Sequence, residues 1–140
     1  YAFASDSARF ALPEVKLGIM SGAMGTQLLP AVAGIKRAKQ MVLSGMVINA
    51  NKAQEWGIVN EVILKDNLFE HVLEHAKEIA SQAPLSVLAI KRSINNAQLL
   101  HLMDGYENEI HLYNQLLETD DRIEGISAFN EKRNPVFKGK

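Results

Sequence analysis

The sequence predicts an α/β fold whose C-terminal part is mostly helical, and two observations predict it. Residues 1 to about 65 mix short apolar runs with Gly and Pro punctuation, the pattern of strands, loops and short helices. From Asn67 to the tail Asn134-Pro135-Val136-Phe137 the periodicity is nearly continuous and helical. The chain accordingly divides into 1–65 and 66–140, with a change of architecture near Leu64–Asn67 rather than a flexible hinge.

Tyr1–Ala4 and Arg9–Leu12 read as short strands flanking the turn Ser5-Asp6-Ser7. Gly18–Gly25 is a glycine-rich loop leading into a helix that stops at Gly34. Helix continues over Ile35–Ser44 and ends with Gly45 at the position where a left-handed backbone suits glycine. Asn49 or Asn51 can cap a short helix through Trp56, closed by Gly57, and Ile58–Ile63 is a strand rich in Val and Ile. Asn67 with Glu70 starts a helix to about Gln82, with Leu68, Phe69, Val72, Leu73, Ala76, Ile79 and Ala80 on its apolar face. Pro84 suits the first turn of the next helix. Leu99, Met103, Tyr106, Ile110, Tyr113 and Leu117 mark a third helix, and Asp121 with Glu124 marks a capped start for a fourth. So many amphipathic helices need a surface to bury their stripes, and part of that surface is expected from preceding sequence or from other subunits.

The 140 residues suffice for one domain with a modest core, and 47% apolar with 22% charged residues is ordinary for a globular chain. A net charge of −1 argues against nucleic-acid and anionic-membrane partners, and no apolar run approaches a membrane-spanning length. The chain has no cysteine, which excludes disulfides, thiolate metal sites and cysteine nucleophiles and fits a reducing compartment. The first residues show no secretory signal and no initiator Met, so the chain is expected to begin inside something larger.

Three stretches invite a chemical reading. Gly18 to Thr26 is glycine-rich, but it has neither a Gly-Lys-Ser/Thr step nor GxGxxG spacing. Its glycines suit either close approach to a ligand or a tight loop without one. His71-Val72-Leu73-Glu74-His75 matches a zinc-protease pattern, but His71, Glu74, His75 and Glu78 are expected on a solvated helix face, so no metal site is assigned. His101 and His111 read as surface or interface residues. Glu14 follows Pro13 between the apolar runs Phe10-Ala11-Leu12 and Val15 to Met20. A carboxylate embedded there is partly desolvated, which suits it to proton transfer near neutral pH, although a surface glutamate fits the same letters.

Ala8-Arg9-Phe10-Ala11-Leu12-Pro13-Glu14-Val15-Lys16-Leu17-Gly18-Ile19 resembles the signature stretch of the enoyl-CoA hydratase/isomerase (crotonase) family. The resemblance continues through Gly22-Ala23-Met24-Gly25-Thr26-Gln27, Leu43-Ser44-Gly45, Ala53 to Asn60, Ile90 to Ile94 and Glu124 to Arg133, and ends at Pro135-Val136-Phe137-Lys138-Gly139. It implies a crotonase-like ββα spiral, of which 1–65 is the end of the β/α core with the active-site loop and 66–140 a helical oligomerisation region. Implied with it are an acyl-CoA substrate, no cofactor beyond the coenzyme A of that substrate, and a homo-oligomer, a trimer or dimer of trimers. A cytoplasmic setting is expected, or the mitochondrial matrix in a eukaryote.

The resemblance makes Glu14 the catalytic acid/base, paired in hydratases with a second glutamate and able to act without it in double-bond isomerases. It places Pro13, Gly22, Phe129 and Lys132 at the substrate: Gly22 lining the acyl pocket, Phe129 covering an adenine face, Lys132 meeting a phosphate. Phe129 as helix core and Lys132 as a solvated cation stand equally open on the residues alone. Three positions depart from the family pattern: Ser21 stands for a proline, Met24 for a glycine and Leu28 for an arginine. The oxyanion-hole segments and the second glutamate of the family are expected upstream of Tyr1. The expected activity of the full-length protein is therefore hydration of 2-enoyl-CoA, with double-bond isomerisation as the alternative. A further alternative is an isolated assembly or interaction module without catalysis.

Overall fold

In the computed structural model, which describes residues 1–140 apart from the side chain of Leu102, the strands pair by long-range contacts that no local pattern announces. Strand β1 (Phe3–Ser5) and strand β2 (Arg9–Ala11) follow each other in sequence but lie in different two-stranded sheets. Later in the chain come helices α1 (Gly25–Ala33) and α2 (Ile35–Ser44), strand β3 (Val47–Asn49), helix α3 (Ala50–Glu55) and strand β4 (Glu61–Ile63). β1 runs parallel to β4 with Phe3 opposite Glu61, and β2 runs antiparallel to β3 with Arg9 opposite Asn49. The chain then continues into α4 (Leu68–Ala80), α5 (Pro84–Asn96), α6 (Leu102–Leu116) and α7 (Asp120–Glu131). It divides into two units, Tyr1–Leu73 and Glu74–Lys140. The division falls inside α4, past the change of periodicity at 65/66.

Glycines set the ends of the helices in the first unit. Gly34 (φ +82°) turns the chain between α1 and α2, and Gly45 (φ +59°) ends α2 in the left-handed conformation. A side chain at Gly45 would also meet Lys16 Cε at 2.9 Å and Val15 Cγ1 at 3.2 Å, so α2 ends directly against the turn that carries Glu14. The Asn49 side chain accepts a hydrogen bond from the Lys52 N–H at 2.9 Å and caps α3. The core of this unit is Ala4, Leu29, Ala33, Ala38, Met41, Ile48, Ala50, Ala53, Trp56 and Val59. Its small residues let α1, α2 and α3 come close, and Trp56 supplies the large apolar surface.

Two expectations are corrected here. The strand expected over Ile58–Ile63 is only Glu61–Ile63, because Gly57 (φ +77°) turns the chain and the Ile58 N–H returns to the Ala53 carbonyl at 2.9 Å. Strand β3 has no counterpart in the sequence pattern, which marks only Asn49 as a possible cap, and its partner β2 supplies the reason for its extended form.

In the second unit α5 and α6 pack on each other around Ala89 and Leu112, and Asn96 Nδ2 donates to Asn108 Oδ1 across them at 3.0 Å. Pro84 takes the first turn of α5, as expected. Asp121 does not cap α7. Thr119 does, accepting from the Arg122 N–H at 3.3 Å. Asp121 is buried instead, and its carboxylate accepts from the Lys138 and Gly139 N–H groups at 2.6 and 2.8 Å. Glu124 accepts from both terminal nitrogens of Arg133 at 2.6 and 2.9 Å and from the Val136 N–H at 2.8 Å. Two acidic side chains that look like helix-start signals therefore bind the C-terminal tail back onto α7.

This clasp has a pH dependence. The Arg133 guanidinium, then the Val136 N–H, holds the Glu124 carboxyl at about 2, below its ordinary 4.5. A carboxylate whose folded value lies below its unfolded one stabilises the fold above the unfolded value and loses that contribution as pH falls. The tail is expected to stay clasped above pH 4.5 and to loosen as pH falls from there toward about 2. Amide exchange at Val136 measured against pH checks this: protection that is flat through that window contradicts it.

Candidate active-site loop

Pro13 (φ −88°) opens a single 3-10 turn, Glu14–Leu17, whose first bond runs from the Lys16 N–H to the Pro13 carbonyl at 2.9 Å. Proline suits this place because its fixed φ is that of a turn entry and its missing N–H is not needed there. Gly18 (φ +73°) closes the turn, and the Ile19 N–H reaches back to the Glu14 carbonyl at 3.3 Å. Glu14 is thus held by backbone bonds on both sides. Its side chain is half-buried rather than fully embedded, and it accepts a hydrogen bond from Ser21 Oγ to Oε2 at 2.9 Å.

Ser21 is only 2% exposed. Gly25 packs closely beside it: a Cβ there would lie in ordinary contact, 3.4 Å from Ser21 Cβ and 3.5 Å from Leu12 Cδ1. Beyond Ser21 the loop takes an unusual course. Ala23 (φ +47°) and Met24 (φ +65°) both hold left-handed backbone without being glycine, and Met24 is the residue before α1. Such conformations cost about 1–2 kcal/mol for a residue with a Cβ, a cost that glycine at either position would avoid. The Met24 carbonyl accepts from the Gln27 and Leu28 N–H groups, both at 2.9 Å, and so starts α1. Gly22 is exposed, and a Cβ there would meet nothing within 4 Å.

The fold therefore brings Pro13, Glu14, Ser21 and Gly22 onto one loop of the first unit. An apolar cleft of about 440 Å³ in the same unit is lined by Phe10, Leu12, Gly25, Leu28, Leu29 and Met41 among others, with Arg9 beside it. Glu14 is not part of that lining. Phe129 and Lys132 belong to the second unit, on the last turn of α7 and at its C-cap. Phe129 is 84% exposed, which overturns its reading as helix core, and Lys132 is exposed with left-handed backbone (φ +54°). Leu28 lies exposed on α1.

The histidine helix differs from expectation, since His71 and His75 are both half-buried. His71 is half-buried, not solvated: its Nε2 lies 3.0 Å from Glu61 Oε2 on β4, and its ring meets Phe3 edge-on at 5.5 Å. His75 lies with Nδ1 3.5 Å from Glu78 Oε2. The partner Glu61 is ten residues away in sequence, beyond the reach of a helical pattern. The Ser21 contact with Glu14 is the functional feature that sequence reasoning missed. The available signal was a hydroxyl residue seven positions after the glutamate, in the loop that follows it.

Residues 1–140 match the enoyl-CoA hydratase/isomerase family. A 2,3-dehydroadipyl-CoA hydratase of Escherichia coli K12 is 44% identical over 137 residues, covering 98% of this chain and 54% of the relative. An enoyl-CoA isomerase/hydratase of Mycosarcoma maydis is 36% identical, covering 98% of this chain and 50% of the relative. The crystal structure of an enoyl-CoA hydratase from Bacillus anthracis superposes with a TM-score of 0.95 at 40% identity, over 99% of this chain and 54% of that one. The chain spans about half the length of the relatives it matches.

Proposed function

The chain belongs to the enoyl-CoA hydratase/isomerase family, and we propose that it is the Glu14-bearing part of a subunit that hydrates 2-enoyl-CoA to 3-hydroxyacyl-CoA. The observation that carries the reading is the setting of Glu14: a half-buried carboxylate fixed on a rigid turn, with one oxygen held by a buried hydroxyl and an open glycine, Gly22, in the same loop. In hydration the oxygen of water bonds to C3 of the enoyl group, the double-bond electrons move toward the thioester as an enolate, and a proton is delivered to C2. Glu14 and a second carboxylate share the two proton movements, one taking the proton from water and one supplying the proton to C2. Backbone N–H donors stabilise the enolate oxygen. The second carboxylate and those donors come from outside residues 1–140, so this chain alone is expected to be inactive.

The exposed Phe129 ring and the Lys132 ammonium are the groups offered to the CoA moiety, an aromatic face for the adenine and a cation for a phosphate. Coenzyme A arrives with the substrate, and no resident cofactor enters the chemistry. Met103, Tyr106, Ile110 and Tyr113 recur at helical spacing along α6 and are all exposed, an apolar stripe that supports assembly with other subunits, here read as a trimer or dimer of trimers. Among the described residues no helix is long and apolar enough to cross a membrane. The reading goes with a cytoplasmic setting, or a mitochondrial matrix in a eukaryote.

Isomerisation is the second reading, and the name of the Mycosarcoma maydis relative favours keeping it. The full-length protein is tested on crotonyl-CoA, on 2,3-dehydroadipyl-CoA and on a 3-enoyl-CoA. Formation of 3-hydroxyacyl product from a 2-enoyl substrate is expected. Double-bond migration from the 3-enoyl substrate, with no hydration of either 2-enoyl substrate, would replace the hydratase by the isomerase.

A further inference from the structure

We propose that Ser21 is a positioning residue for the reaction: its hydroxyl holds Glu14 Oε2, so that Glu14 presents Oε1 as the working oxygen. The inference rests on the reading of Glu14 as the acid/base and deepens it. A carboxylate on a single-bonded stem rotates about its last torsion, and the two oxygens exchange places unless something distinguishes them. Here Ser21 Oγ donates to Oε2 at 2.9 Å. Because Ser21 is 2% exposed, water does not readily replace that donor. The contact lies within one loop, between a rigid 3-10 turn and the entry to α1, so the two groups keep their spacing without help from a distant element.

The test uses the full-length protein with Ser21→Ala, Glu14→Gln and the double variant, assayed with crotonyl-CoA. Alanine removes the oxygen and little else. A hydrogen bond to a charged group is a strong one, so Ser21→Ala is expected to lower kcat about tenfold or more while KM stays within about twofold. The loss should vanish in the double variant, which should match Glu14→Gln alone, because the two side chains act as one unit. Wild-type kcat in Ser21→Ala overturns the proposal. So does a loss of the same size in the Glu14→Gln background, which would make Ser21 a packing residue only. If Glu14→Gln itself turns over like wild type, the catalytic reading of Glu14 fails first, and that result is separate from either outcome for Ser21.

Discussion

Glu14→Gln in the full-length protein is expected to lower hydration turnover by roughly 10²–10⁴-fold, the usual contribution of a general acid–base group. Glutamine has nearly the same shape and keeps an oxygen to accept the Ser21 hydroxyl bond, so the Glu14–Leu17 turn has no reason to move. What it loses is the ability to take and release a proton. The expected signature is a collapse in kcat with little change in the unfolding midpoint or in affinity for the CoA product. Steady-state kinetics and a thermal melt on the same sample check it. Turnover near that of the unaltered protein would remove Glu14 from the chemistry, whatever the family pattern.

The largest effect on stability is expected from Trp56→Ala. Trp56 is 4% exposed at the C-cap of α3, inside the cluster that joins α1, α2 and the strands of the first unit. Arg37 and Lys52 each lie 5.9 Å from its ring centroid, so the indole also meets two cations. Truncating a buried aromatic of this size costs about 3–5 kcal/mol, a large share of the roughly 5–15 kcal/mol that holds a domain folded. Chemical denaturation of the two proteins measures the difference. A loss well under 1 kcal/mol would mean that the small residues around Trp56, chiefly Ala50, Ala53 and Ala33, can close over the space.

The two predictions differ in how readable their causes were. Glu14 stands out in the sequence because a Pro-Glu step between two apolar runs is a local pattern, and local patterns survive into the fold. Gly34, Gly45, Asn49 and Pro84 belong to the same kind: each acts through its own φ or through a bond a few residues away, and each appears where expected. Trp56 could be placed at the end of a short helix, but its burial depends on α1 and α2 folding over it.

Where the sequence misled, a polar side chain found a distant partner. Asp121 and Glu124 have the spacing of a helix start, yet they bind the tail at Val136, Lys138 and Gly139. His71 sits on a polar-looking helix face, yet it meets Glu61 of β4. A backbone N–H or a charged group accepts whichever partner the fold delivers, and a periodic pattern records none of those deliveries.

The order of residues by itself determined the glycine-marked ends at Gly34 and Gly45, the entry turn at Pro13 and the placing of a carboxylate between two apolar runs, because steric limits on φ and side-chain periodicity act over a few residues. Only the tertiary structure decided that β2 pairs with β3, that the tail folds back on α7, and that a buried serine grips the carboxylate at position 14. Pairing, burial and carboxylate orientation depend on which distant or turned-back groups come within about 3 Å of each other, and that distance exists only once the chain has packed.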